Sequence, residues 1–177
     1  MQTYIALFRG INVGGHSKLP MRELKDVLSG MGLQDIATYI QSGNVVFTTD
    51  QGEKSALAAR IREAVEHSHG FAPQVVLLTA DELARAAAAN PYPEADEAPT
   101  TVHLYFLAEV PQNPDLEKME AIKADNECFT LTDKVFYLHA PEGIGRSKLA
   151  AGVEKALGVP VTARNWRSVC KILEMAQ

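Results

Sequence analysis

The sequence predicts an α+β fold of two ferredoxin-like βαββαβ lobes, each with an antiparallel sheet and each followed by an extra helix. The first observation is that both halves of the 177-residue chain show strand-like and helix-like segments in the order β-α-β-β-α-β-α. The second is that residues 90–99 (NPYPEADEAP) contain three prolines and three acids, a composition that disfavours both helix and sheet. We expect lobe 1 at about residues 1–90, a linker at 91–99 and lobe 2 at about 100–177.

In the first half, segments rich in β-branched and aromatic residues predict strands at 3–9, 38–41, 44–48 and 74–79. Apolar residues at three- and four-residue spacing predict a helix that begins after Pro20 and a second around Leu57, Ile61 and Val65. The segment DELARAAAA predicts a third helix. Ser42 and Gly43 separate two of the strands, which predicts a tight hairpin turn.

The second half repeats this order. Strands are predicted at 102–107, 127–131 and 134–140, with a short fourth strand near 159–161. Helices are predicted at 114–122, 147–157 and 163–175. A turn at Thr132 and Asp133 joins the second and third strands and completes the repeat.

Composition and patterning favour a cytoplasmic globular protein. No apolar run approaches the roughly 20 residues that cross a bilayer, and residues 1–13 have a strand pattern instead of a secretion signal. Cys128 and Cys170 form neither a CxxC pair nor a metal-ligand spacing, so we expect free thiols in a reducing compartment. The sequence implies no cofactor, no metal and no membrane partner.

Charge is unevenly distributed along the chain, whose formal net charge is −5. Residues 81–127 contain eleven acidic and three basic residues, whereas residues 143–171 contain six basic and one acidic residue. Binding to duplex DNA is not expected, because nonspecific affinity requires many neutralised phosphates. A local basic site could still hold one phosphate-bearing small molecule.

Four motifs carry a resemblance to a known family: RGINVGG at 9–15, YIQSGNVVF at 39–47, GIGRSK at 143–148 and ARNWRSV at 163–169. In this order and at these separations the chain resembles the domain of unknown function 1697 family. The resemblance covers essentially all of residues 1–177, which implies one family domain. It also implies a small, mostly bacterial protein, and it implies no activity.

Three segments are candidate ligand-binding sites. The GIGRSK loop precedes a predicted helix whose N–H groups, with Arg146 and Lys148, could hold an anion. The glycine-rich loop after the first strand and the predicted first turn of the last helix also combine cations with polar groups. The candidate ligand-binding residues are Arg9, Asn12, Gly14, Gly15, Gly145, Arg146, Ser147, Lys148, Arg164, Asn165, Trp166 and Arg167.

Each candidate also has a structural interpretation. Ser147 could be a helix N-cap, the glycines could serve only to turn the chain, and Trp166 could be a packing residue. If the GIGRSK loop and the ARNWR segment converge in space, a shared bound anion is favoured. The leading hypothesis is therefore an anion-binding protein whose ligand, a phosphate-bearing small molecule or nucleotide, is held by those two segments.

Other functions stay open. An enzyme acting on a phosphorylated small molecule would need a titratable group at the same pocket, with His16, Tyr39 or His139 as candidates. An RNA-binding protein would expose Tyr4, Phe8 and Phe47 as stacking residues, although we expect this face to be covered by the other lobe or a second subunit. The remaining hypothesis is an assembly module such as a homodimer.

Overall fold

The computed structural model describes all 177 residues and has eight strands and six α-helices in the predicted order. The strands are β1 Gln2–Arg9, β2 Gln34–Tyr39, β3 Asn44–Thr49, β4 Gln74–Thr79, β5 Val102–Leu107, β6 Cys128–Leu131, β7 Val135–His139 and β8 Val161–Asn165. The helices are α1 Met21–Gly30, α2 Lys54–His69, α3 Ala80–Ala88, α4 Leu116–Ile122, α5 Lys148–Leu157 and α6 Trp166–Met175. Two short 3-10 turns, Pro93–Ala95 and Pro99–Thr101, lie in the predicted linker.

The strands form two four-stranded sheets of identical topology. Their orders are β2-β3-β1-β4 and β6-β7-β5-β8, and all neighbouring strands are antiparallel. Each order, together with the βαββαβ sequence of elements, is that of a ferredoxin-like lobe. The structure thus confirms the predicted α+β class, the two lobes and the helix that follows each of them.

The chain divides into two compact units. The first contains residues 1–85 and 171–177, and the second contains residues 86–170. Compared with the lobe boundaries expected from sequence, the end of α3 and the linker group with the second unit, and the last seven residues group with the first.

The core of the first unit lies between the sheet and helices α1 and α2. Tyr4, Phe8 and Phe47 belong to this core, and the rings of Tyr4 and Phe47 stack with centroids 5.9 Å apart. Leu24 of α1 and Ile61 of α2 are buried in the same cluster. The expectation that another lobe or subunit covers these aromatic residues was wrong, because the helices of their own unit do so. They are not exposed for stacking on RNA bases.

The core of the second unit lies between its sheet and helices α4 and α5. Tyr105, Phe136 and Leu138 on the sheet and Leu149 and Val153 on α5 are buried together. Residues of the same strands that alternate with these, including Leu104 and Tyr137, are also buried. Both faces of this sheet are therefore withdrawn from solvent.

The largest differences from the predicted element boundaries lie at β2 and at the junction of β8 with α6. Strand β2 begins four residues earlier than expected and ends at Tyr39, so the connection to β3 spans residues 40–43 and is not a two-residue hairpin. Strand β8 extends to Asn165, and α6 begins at Trp166 rather than at residue 163. The prediction that Arg164 and Asn165 lie in the first turn of the last helix was wrong, since backbone pairing with β5 holds both residues in the sheet.

None of the helices combines the length and the apolar character that crossing a membrane requires.

Candidate functional site

A groove in the second unit lies between two loops at one end of α4 and α5. One loop, residues 121–127, runs from the end of α4 to β6, and the other, residues 142–148, runs from β7 into α5. The two helices pack closely at Gly152 of α5. A Cβ atom on this residue would lie only 2.8 Å from Cδ1 of Ile122. The groove has a volume of about 930 Å³, which lies near the upper end of the usual range for small-molecule sites.

The start of α5 forms part of the groove. Ser147 is the N-cap, and its hydroxyl accepts a hydrogen bond of 3.0 Å from the N–H of Ala150. The backbone oxygen of Ser147 accepts from the N–H of Ala151. The N–H groups of Lys148 and Leu149 have no acceptor within the protein, as is usual in the first turn of a helix. They give this end of α5 a partial positive charge.

Three cationic side chains line the groove: Lys123, Arg146 and Lys148. Arg146 and Lys148 are exposed, and Lys123 is half-buried. None of the three forms a salt bridge within 4.0 Å, although the groove also contains Glu127 and Glu142. The lining therefore carries a formal charge of +1, with cations that are not neutralised by direct contact.

The predicted residues Gly145, Arg146, Ser147 and Lys148 all line this groove. The N-cap role of Ser147, which sequence analysis gave as the structural interpretation, is confirmed. A cap and a ligand site are compatible, because the hydroxyl of Ser147 satisfies only one of the exposed N–H groups. Ligand binding by these four residues stays a prediction.

The ARNWR segment does not line the groove. Arg164 pairs with Leu104 in the sheet and points away from the face covered by α5, since its neighbours Val161 and Ala163 pack on that face. One of its Nη atoms donates to the backbone oxygen of Ala163 at 2.8 Å, and burial lowers the pKa of its guanidinium to about 10. The GIGRSK loop and Arg164 thus lie on opposite faces of one sheet and do not converge.

The other residues of this segment have local roles. Asn165 accepts a hydrogen bond of 2.9 Å from the N–H of Ser168 and so caps α6. Trp166 is half-buried at the first position of that helix, and Arg167 is exposed. A direct role for these residues in ligand binding stays a prediction.

In the first unit, Asn12 organises the glycine-rich loop. Its side-chain amide donates to the backbone oxygens of Leu19 and Gln41 at 2.9 and 2.8 Å, and its side-chain oxygen accepts from the N–H of Leu19 at 2.7 Å. Gly14 and Gly15 have φ values of 59° and 76°, which suit the two central positions of a tight reverse turn. Arg9 is exposed at the end of β1. These hydrogen bonds and φ values give Asn12 and the two glycines a structural role in shaping the loop. Ligand binding by this loop stays a prediction.

The candidate acid–base residues are not in the groove. His16, Tyr39 and His139 are all absent from its lining. His139 is half-buried, and its ring stacks on Tyr92 with centroids 5.9 Å apart. No three His, Cys, Asp or Glu side chains lie close enough together to hold a metal ion. Cys128 and Cys170 are free and exposed.

Sequence analysis missed the contribution of the segment between α4 and β6. Lys123, Glu127 and Glu142 line the groove, but none was a candidate. The only signal for Lys123 was that it is one of three basic residues within the acidic stretch 81–127. No local pattern marks Glu127, which joins the site through the packing of α4 against α5.

The fold and groove define a two-lobed α+β protein with two ferredoxin-like sheets and a cationic groove in the second unit. A family model described as "Protein of unknown function (DUF1697)" matches residues 1–137. The chain belongs to this family, as the four motifs implied. The matched residues include one side of the groove, residues 121–127, and end before the GIGRSK loop.

Among solved structures, the chain is similar to a conserved bacterial protein, SP0830, from Streptococcus pneumoniae. The two share 24% identity with a TM-score of 0.69, over 99% of each chain. This likeness concerns the fold. No curated protein sequence matches the chain.

Proposed function

We propose that this protein binds a small phosphate-bearing molecule in the groove between residues 121–127 and 142–148. One observation carries the proposal: Lys123, Arg146 and Lys148 line one groove without forming a salt bridge, beside the open N–H groups of α5. Cations that line one groove without a carboxylate in direct contact repel one another, and a bound anion reduces that repulsion. Helix N–H groups and guanidinium groups are also the usual donors to phosphate oxygens.

The proposal concerns a binding protein of bacterial origin in the cytoplasm. The two free, exposed thiols support a reducing compartment. The proposal is limited to binding, because His16, Tyr39 and His139, the acid–base candidates from the sequence, do not line the groove. The size and charge of the groove favour a single small anion over a polymer.

Thermal unfolding with increasing inorganic phosphate, AMP or ribose 5-phosphate tests the proposal. A ligand that binds only the folded state raises the unfolding midpoint as its concentration rises. Arg146→Ala removes a charge-assisted contact worth about 1.5–3 kcal/mol, so we expect roughly a 10- to 100-fold weaker apparent Kd.

Lys155→Ala is the matched control. Lys155 is exposed in the last turn of α5, at the opposite end from the groove, so its loss changes the net charge equally and leaves the site intact. We expect this variant to respond as the wild type does. A wild type that shows no shift with any of the three compounds, or an Arg146→Ala variant that shifts as much as Lys155→Ala, would contradict the proposal.

A further inference from the structure

Glu127 is a buried carboxylate in the wall of the groove. Only 5% of the residue is exposed. Its Oε1 accepts a hydrogen bond of 2.8 Å from the N–H of Ala124, and Oε2 accepts none within the protein. No lysine, arginine or histidine lies within 4.0 Å of either oxygen. The carboxylate is therefore held in place but only partly satisfied.

The free oxygen is accessible from the groove. Two buried side-chain atoms in the chain lack both solvent contact and a hydrogen-bond partner, and they belong to His103 and Thr162. Oε2 of Glu127 is not one of them, so it retains contact with solvent. Because Glu127 lines the groove and is otherwise buried, that contact is with the groove.

The Glu127 side chain is held in place by a short turn, which contacts the carboxylate through Oε1. The N–H of Glu127 donates to the backbone oxygen of Ala124 at 3.0 Å, while the Glu127 side chain accepts from the N–H of the same residue. These two hydrogen bonds close the turn from both ends and restrict the side-chain rotamer. A rigid acceptor needs little ordering when a ligand binds, which increases affinity for a matching donor.

A simple anion matches only the cationic part of this groove. Phosphate would gain from the three cations but would be repelled by Glu127 and Glu142, which share the same lining. When a ligand fills the groove, the buried carboxylate loses its hydration, and this loss costs free energy unless the ligand supplies a hydrogen-bond donor. The arrangement suits a molecule that carries an anion at one end and an N–H donor at the other.

We propose that the groove selects phosphate monoesters that also carry a nitrogen hydrogen-bond donor, with Glu127 as the specificity-determining residue. The inference rests on the proposed function, because the phosphate contacts Arg146, Lys148 and the start of α5. The Oε2 atom of Glu127 accepts the N–H of an ammonium group, as in an amino-alcohol phosphate, or of a nucleobase such as guanine. Both sources present the same donor chemistry to the carboxylate.

Isothermal titration with four probes tests the selection: O-phosphoethanolamine, GMP, ribose 5-phosphate and inorganic phosphate. In the wild type we expect O-phosphoethanolamine or GMP, or both, to bind at least ten-fold more tightly than ribose 5-phosphate. Preference for O-phosphoethanolamine alone identifies an amino-alcohol phosphate, and preference for GMP alone identifies a nucleotide.

Glu127→Gln is the diagnostic variant. The Gln side-chain oxygen can still accept the N–H of Ala124, so the turn is preserved, while the negative charge is lost. We expect the preference for the nitrogen-bearing probes to fall at least ten-fold, and inorganic phosphate to bind as tightly as before or more tightly. Glu117→Gln removes the same charge from an exposed residue in the first turn of α4, at the opposite end of that helix from the groove, and we expect it to retain the preference.

Two failures are distinguishable. If all phosphate probes bind the wild type equally, or if Glu127→Gln and Glu117→Gln have equal effects on the preference, the selection by Glu127 is wrong and the phosphate site remains. If no probe binds, the proposed function fails together with this inference. Should Glu127→Gln fail to fold, as judged by circular dichroism, Glu127→Asp provides the second variant. Its shorter side chain withdraws the carboxylate, and retention of the full preference would overturn the proposal.

Discussion

Two buried side-chain atoms of the second unit lack a hydrogen-bond partner: Nδ1 of His103 and Oγ1 of Thr162. They lie on opposite faces of the sheet, because His103 shares a face with Tyr105, whereas Thr162 alternates with Val161 and Ala163. His103 was not among the candidate site residues. An unsatisfied buried nitrogen instead makes this residue a determinant of stability.

The stability of the protein should depend on pH through His103. Burial lowers the pKa of its imidazole to about 4 from an ordinary 6.5. Between about pH 6.5 and pH 4, His103 is therefore protonated in the unfolded chain but neutral in the folded chain. The contribution of His103 to the free energy of unfolding is complete above about pH 6.5 and is lost as the pH falls towards 4. A shift of this size corresponds to roughly 3 kcal/mol across the interval.

Urea unfolding of wild type and His103→Leu at pH 7 and pH 4.5 measures this contribution. The free energy of unfolding of the variant should fall less between the two pH values than that of the wild type. Only the change with pH is compared, so any effect of the leucine on packing cancels. Equal losses in both proteins would show that His103 does not titrate as its burial implies.

At the scale of the elements, the local sequence pattern predicted secondary structure correctly where strand pairing in the folded protein agreed with it. Residues 74–79 and 102–107 form strands with the predicted bounds, because their apolar β-forming residues agree with their place in the sheet. Residues 163–165 have fair helix propensity and were predicted as helix, but hydrogen bonding of Arg164 and its neighbours with β5 outweighs that preference. A single sequence does not show which strand will pair with such a segment.

The start of β2 was missed for a different reason. The register between β2 and β3 shifts between Gln34 and Ala37, and Asp35 has a φ of 52°. A bulge of this kind interrupts the alternation of buried and exposed residues from which strands are recognised.

The groove is harder to predict from sequence than a strand boundary, since Glu127 and Arg146 belong to separate segments that meet only through the packing of α4 against α5. Sequence could predict one wall, the GIGRSK loop, but not the opposite one.

The connection between β2 and β3 allows a test of backbone constraint in the first unit. Gly43 has a φ of 89°, and a Cβ atom there would lie 2.6 Å from Cβ of Phe8 and 2.7 Å from Cδ1 of Ile11. Gly43→Ala combines left-handed strain of about 1–2 kcal/mol with overpacking of about 1–3 kcal/mol. We expect a loss of roughly 2–5 kcal/mol in the free energy of unfolding.

Gly52→Ala separates these two causes. Gly52 also has a positive φ, 52°, but a Cβ atom there would meet no atom within 4 Å. This variant should lose only about 1–2 kcal/mol, measured by the same denaturant titration. Equal losses in the two variants would mean that the contacts with Phe8 and Ile11 do not constrain Gly43.

For the whole molecule, the charge segregation seen in sequence does not become one basic patch. Of the basic residues in 143–171, Arg146 and Lys148 line the groove, Lys155 lies at the far end of α5, and Arg164 is half-buried on the other face of the sheet. The groove is therefore lined by three cations, and one of them, Lys123, belongs to the acidic stretch 81–127. Such a site fits one small anion better than the repeated phosphates of a nucleic acid.

Duplex DNA should bind weakly and with a shallow salt dependence. The formal net charge is −5, and each phosphate that a protein neutralises contributes about −0.9 to the slope of log K against log salt concentration. If the three groove cations are the only contacts, the slope is about −3, and the Kd near physiological salt is weaker than about 10⁻⁴ M.

Fluorescence anisotropy with a labelled duplex at several salt concentrations measures both quantities. Arg146→Ala, which removes one contact, should reduce the slope by about 1. A submicromolar Kd at physiological salt, or a slope of about −6 or steeper, would mean that DNA contacts a larger basic surface than the groove provides.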